Sequence, residues 1–168
     1  MGNDSTKINE NIYFKCRKEA ALYDERLRSR ESAADLLGVS PSSLADYELG
    51  NTKVVPVDKV NLMADLYNAP QLRTMYCKHD CPIGDCLTLA TEIPSLESVV
   101  LRLLNNLEDG KLTEVKRQLI NIAATEGIST KNVHSIDEIL KYLDRLVESV
   151  SGLKLLCTKT KAAIASLR

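Results

Sequence analysis

Nine polar residues between Arg28 and Lys53 have the types and spacing to grip a phosphodiester backbone and touch base edges. Arg28 and Arg30 carry planar guanidinium forks that match phosphate oxygens. Ser40, Ser42 and Ser43 offer hydroxyls that serve phosphates or any base. Asp46 can only accept, so it suits a cytosine amino group and repels backbone phosphate. Asn51, Thr52 and Lys53 complete the set in a loop-like stretch. Two of these have plainer readings: Arg30 as a surface ion pair with Glu31 or Asp35, and Asp46 as a solvated or internally paired carboxylate. No arginine, lysine, glutamine or asparagine stands between Pro41 and Leu49. Sequence discrimination by this set is therefore modest, or falls to the loop and to the shape of the nucleic acid.

A second cluster, Cys77, His79, Cys81 and Cys86, puts four metal-capable side chains in ten residues. Zinc sites more often draw paired short spacings from two separate segments. The expectation is reduced thiols in a turn-like loop holding no metal and no cofactor, with metal or redox sensing as the alternative. Cys16 and Cys157 sit on apolar stripes and read as core. Catalysis finds no support. There is no phosphate-binding glycine loop, and neither His79 nor His134 has a nucleophile at a recognisable spacing.

The elements that must carry the first set are legible in RESAADLLGVSPSSLADY, residues 30–47. Counting from Arg30, a small residue falls fifth (Ala34), a glycine ninth (Gly38), and apolar residues fourth, eighth, tenth, fifteenth and eighteenth (Ala33, Leu37, Val39, Leu44, Tyr47). Two short helices that cross steeply need a small residue where they touch. The chain must then reverse within a few residues, and glycine accepts the left-handed conformation that ends a helix. Ser29 is placed to cap the first helix. Ser40 followed by Pro41 reads as cap and first position of the second. This is the spacing of a helix-turn-helix, whose second helix keeps its outer face free. An ordinary helical hairpin is the plain alternative.

With its flanks, the stretch from residue 12 to 69 resembles the Cro/C1-type (XRE-family) helix-turn-helix domain of bacterial regulators. After the second helix that family continues with an acidic residue, any residue, a glycine, a short loop, a proline and an amphipathic helix. Here these are Glu48, Leu49, Gly50, the loop NTKVV, Pro56 and VDKVNLMADLYNA. The loop is about two residues longer than usual, and Arg30 stands where glutamine is commonest. RKEAA near Arg17 and the cysteines from Cys77 are similar to one bacterial subgroup. The resemblance implies a five-helix, lambda-repressor-like domain, dimeric binding to double-stranded DNA and control of transcription. It also implies a buried ion pair between Glu48 and an arginine of an earlier helix, with Arg17 the best-placed partner.

Composition agrees with helices throughout. Hydrophobic residues make up 44% with no tryptophan and one phenylalanine, so aliphatic residues build the core, and no run alternates with period two. Net charge is −1. Residues 1–76 hold ten Lys and Arg against eleven Asp and Glu, which lacks the basic excess common in phosphate binders. No apolar run approaches a membrane span, so the expectation is a cytoplasmic protein without a membrane partner.

The fold class expected is all-α, with a helix-turn-helix domain over 1–76, a Cys- and Pro-containing linker over 77–94, and a helical region over 95–168. In the last, Ser95 starts a helix with Leu96, Val99, Val100, Leu103, Leu104 and Leu107 in its stripe. Asp109-Gly110 interrupts it, and Leu112–Glu126 follows, with Val115, Leu119 and Ile122 inward, ending near Gly127. Ser135 with Glu138 reads as a capping box for a long final helix. Its seam runs Ile139, Leu143, Leu146, Val150, Leu153, Cys157, Thr160, Ile164 and Leu167 in steps of four and three. Little else in the chain is left to cover its end, which leads to homodimerisation through 95–168. The rival to a DNA-binding regulator is a protein-interaction module that kept the scaffold and lost DNA binding.

Overall fold

Every regular element is helical among the residues that the computed structural model describes, 11–124 and 132–165. Asn11 starts α1 (Ile12–Ala20), its side-chain oxygen accepting from the amides of Tyr13 and Phe14. A short 3-10 turn at Glu25–Leu27 leads to α2 (Arg30–Leu37), which Ser29 caps through the Ser32 amide. Gly38 ends α2 at φ 61°, in the left-handed region that costs glycine nothing. Ser40 caps α3 (Pro41–Leu49) through the Ser43 amide at 3.0 Å, with Pro41 in the first turn. Then come α4 (Val57–Leu66) and α5 (Gln71–Met75), the latter running on into a wide π-turn at Tyr76–Asp80. The five helices expected are all present.

One core holds them. Leu27, Ala33, Ala34, Leu44, Met63 and Leu72 are fully buried, with Leu37, Val60 and Tyr67 beside them. Two adjacent small residues, Ala33 and Ala34, let α2 and α3 approach closely. In α1 the inward face is Tyr13, Cys16 and Arg17. Tyr23 lies past the helix end and is 93% exposed.

The chain divides into two compact units, the first running to Leu87 and taking in Thr158–Arg168, the second spanning Thr88–Cys157. The first half of the expected 77–94 linker thus belongs to the first unit. Gly84 explains why: a Cβ there would meet the Cys77 carbonyl oxygen at 2.3 Å, so the loop folds directly onto the π-turn. Lys78 Nζ secures it by donating to the Leu87 carbonyl at 3.1 Å.

In the second unit Ser95 caps α6 (Leu96–Asn106) through the Ser98 amide. α7 (Asp109–Ala124) and α8 (Val133–Ala165) follow. The break falls before Asp109, so Asp109 and Gly110 open α7 and do not interrupt it. Glu126 and Gly127, expected at its end, lie outside the described residues, as does Leu167 of the seam. α8 starts at Val133, two residues ahead of the anticipated Ser135 cap, so the Ser135–Glu138 box does not form its start.

The inward stripe of α8 also differs from the expected seam. Ile139, Tyr142, Ser149, Gly152 and Leu155 are buried, while Leu143 and Val150 are each 38% exposed. Polar chemistry decides this. The Tyr142 hydroxyl donates to the Asn106 carbonyl, and the Asn106 amide donates to Ser149 Oγ at 3.1 Å. Those bonds turn Tyr142 and Ser149 towards α6 in place of their apolar neighbours. In α7, Leu119 is 47% exposed, while Leu112, Val115 and Ile122 are half-buried. Residues 160–165 at the end of α8 are exposed, Ile164 at 51%, and the helix is held just before them. Within the first unit Asn68 Nδ2 donates to the Lys159 carbonyl at 3.3 Å, and Lys159 Nζ lies 4.0 Å from Glu19.

Candidate nucleic-acid interface

The position of α3 is set by a buried cluster of charges. Glu48, fully buried on its inner face, forms a two-pronged pair with Arg17 of α1: Nε donates to Oε1 and Nη2 to Oε2, the latter at 2.9 Å. Arg17 Nη1 also donates to the carbonyls of Leu27 (2.9 Å) and Arg28 (3.2 Å). One guanidinium therefore ties together α1, α3 and the turn before α2. Planar bidentate geometry with each guanidinium nitrogen engaged is what makes such a buried charge tolerable. The Tyr67 hydroxyl is buried with no hydrogen-bond partner among the described residues, and its pKa is raised by burial and then by the Glu48 charge.

Arg30 joins the same cluster. Its Nε donates to Glu48 Oε2 at 2.6 Å, with the side chain 33% exposed. The surface pair with Glu31 or Asp35 is not the one that forms. The partner is Glu48 across the motif, and the guanidinium reaches the surface from that anchor.

The outer face of α3 is solvent-facing. Ser40, Ser42 and Asp46 are exposed and Ser43 is half-buried. The serine hydroxyls touch one another, Ser40 Oγ lying 2.9 Å from Ser42 Oγ and 2.8 Å from Ser43 Oγ. Asp46 accepts from Asn51 Nδ2 at 3.0 Å, and its carbonyl accepts from the Asn51 amide at 2.9 Å. Asp46 and Asn51 thus form one closed unit that folds the loop back on α3. Thr52 is half-buried and Lys53 exposed. Arg28 is exposed and paired with Glu25 at 3.1 Å, a contact that water weakens. Arg26 is held by Asp24, whose carboxyl the Arg26 hydrogen bonds keep below its ordinary range. The nine residues fall into a cluster of hydroxyls (Ser40, Ser42, Ser43), an internally bonded pair (Asp46, Asn51), the anchored Arg30, and Arg28, Thr52 and Lys53.

Two scaffold residues were not anticipated. Lys59 of α4 donates to the carbonyls of Leu37 (3.1 Å) and Gly38 (3.4 Å), placing a cation on the open end of α2. Asn11, besides capping α1, donates to the Tyr47 carbonyl at 3.0 Å and so fixes the far end of α3. A Lys or Asn carries no signal of such distant partners in the linear sequence.

All five cysteines are free thiols: Cys16 is buried as expected, Cys77 and Cys81 are half-buried, Cys86 is exposed, and Cys157, expected in the core, is exposed instead. Among the described residues no group of three or more His, Cys, Asp or Glu side chains gathers as a metal ion would require. No described helix is long and apolar enough to cross a membrane.

With this geometry in hand, residues 17–74 match the model of a helix-turn-helix domain family, about a third of the chain. The matched segment runs from the arginine that anchors α3 to the end of α5. No curated protein and no solved structure matches the chain. Residues 17–74 are a helix-turn-helix domain, built on an Arg17–Glu48 anchor.

Proposed function

We propose that the chain is a bacterial, cytoplasmic transcriptional regulator of the Cro/C1 (XRE) type that binds double-stranded DNA as a dimer and catalyses no reaction. One observation carries this reading: α3 is locked from inside through Glu48 while Ser40, Ser42 and Asp46 on its outer edge face solvent. A helix fixed from beneath and polar above suits insertion into a major groove. Arg28, Arg30 and Lys53 flank it as backbone contacts, and the serines touch base edges or phosphates. Dimerisation through the second unit supplies two such helices for a two-fold operator.

Binding to DNA from the region upstream of its own coding sequence, measured at two salt concentrations, tests the reading. The expected result is specific competition and a salt slope of only a few ions, because the domain lacks a basic excess. No binding even at low salt would reject the regulator and favour an interaction module on the same scaffold.

A further inference from the structure

Resting on the dimer reading, we infer that a second copy of the chain covers one side of the α6–α8 pair, packing a four-helix layer around Leu104, Leu143 and Val147. The two helices run antiparallel. At one end Pro94, just ahead of α6, lies so close to Gly152 of α8 that a Cβ there would touch its ring at 3.2 Å. At the other, Asn106 meets Tyr142 and Ser149. Seen from one end, antiparallel helices wind in opposite senses, so the residue one step past each inward residue emerges on the same side of the pair.

That next residue is apolar every time. On α6 the inward Val99, Leu103 and Asn106 are followed by Val100, Leu104 and Leu107, which are 41%, 63% and 50% exposed. On α8 the inward Ile139, Tyr142, Leu146 and Ser149 are followed by Leu140, Leu143, Val147 and Val150. These four are also exposed, and they step by three, four and three with no charge among them. A repeat of 3.5 residues is the pattern that seats another helix, knob into hole. Thr88 and Leu89 border the face beside Val147 and Val150, with Thr88 Oγ1 donating to Asp144 at 2.7 Å, and α7 does not cover it. The groove α7 lines with α8 is bordered by Glu138, Ile139, Lys141, Tyr142 and Arg145, on the other side of the helix.

The occupant follows from what the second unit lacks. Its buried hydrophobic residues, among those described, are Ala90, Val99, Ile139, Tyr142 and Leu155, and α7 buries none. A stretch of seventy residues with so small a core needs another layer. A copy of the same face related by a two-fold axis provides it, giving a bundle of α6, α8 and their mates.

Sedimentation of the full chain at tens of micromolar is the test. The wild type should be a dimer. Leu104→Glu and Leu143→Glu should each weaken it at least about 100-fold, since a carboxylate would be buried unpaired. Ile120→Glu, on exposed α7, should leave it intact. In Val147→Cys, which stays small and apolar, the new thiol should react with a maleimide at least about tenfold more slowly than exposed Cys86. That measurement decides the matter should a glutamate variant fail to fold. A monomeric wild type would overturn both the dimer and this face. A dimer indifferent to both glutamates, one broken by Ile120→Glu, or a fast-reacting thiol in Val147→Cys would overturn the face alone.

Discussion

Glu48 and Arg17 meet inside the first unit with side chains 0% and 2% exposed, and the Glu48 oxygen that takes Arg17 Nη2 also takes Arg30 Nε. One carboxylate thus neutralises a fully buried cation and steadies a second at the surface. Removing it leaves Arg17 charged in the core. Glu48→Gln should cost about 3–5 kcal/mol in urea denaturation, the range for breaking a buried pair from one side. Replacing both partners by apolar residues of similar volume should cost much less. A Glu48→Gln midpoint equal to wild type would show that the pair does not hold α3 in place.

The reach of the sequence ends where partners become three-dimensional. Ala34, Gly38 and the Ser40-Pro41 start were readable because each answers a local demand of backbone or close packing, and each sits in the structure as expected. Arg17–Glu48 was readable only through the resemblance. That Arg30 shares Glu48, or that Asn51 closes on Asp46, could not be seen from spacing, because the nearer Glu31 and Asp35 were equally plausible partners. In α8, periodicity favoured Leu143 and Val150 over Tyr142 and Ser149. Hydrogen bonds to Asn106 reversed that choice, and hydrophobicity alone has no means of registering them.

Backbone and base contacts should separate by variant. Arg28→Ala and Lys53→Ala should each weaken binding to all DNA sequences alike and lower the salt slope by about one. Ser42→Ala should leave that slope unchanged and alter the preferred sequence. Titrations of one operator and one unrelated duplex at several salt concentrations distinguish the two. A Lys53→Ala protein with wild-type slope would move the backbone contact elsewhere.

Asp46 places a negative charge on the face proposed to approach DNA. Asp46→Asn keeps the size of the side chain and still offers an oxygen to Asn51 Nδ2, while removing the repulsion of phosphate. It should tighten binding to unrelated DNA several-fold with little change in melting temperature. Weaker binding to the operator alone would instead assign Asp46 a direct contact with a base, cytosine being the one it can serve.

Cys16 makes the stability of the first unit depend on alkaline pH in a predictable direction. Burial pushes its thiol up from an ordinary 9.0 to about 12, the Glu19 carboxylate adding to the effect and Lys159 opposing it. In the unfolded chain the same thiol ionises near its ordinary value. Between pH 9 and pH 12 the folded state therefore holds a proton that the unfolded state has released. Stability from this group is fully present below pH 9 and is lost as pH rises through the folded value, at up to about 1.4 kcal/mol per pH unit. The phenols of Tyr13 and Tyr67, both raised by burial, add the same sign from pH 10 upward. Urea midpoints at about pH 7, 8.5 and 9.8 should be level across the first interval and fall across the second, and Cys16→Ala should flatten that fall. At about pH 7.5 the folded protein should alkylate at Cys86 and Cys157 first and at Cys16 only on unfolding. Labelling of Cys16 as fast as Cys86 in the folded chain would mean that the α1 face it occupies opens freely to solvent.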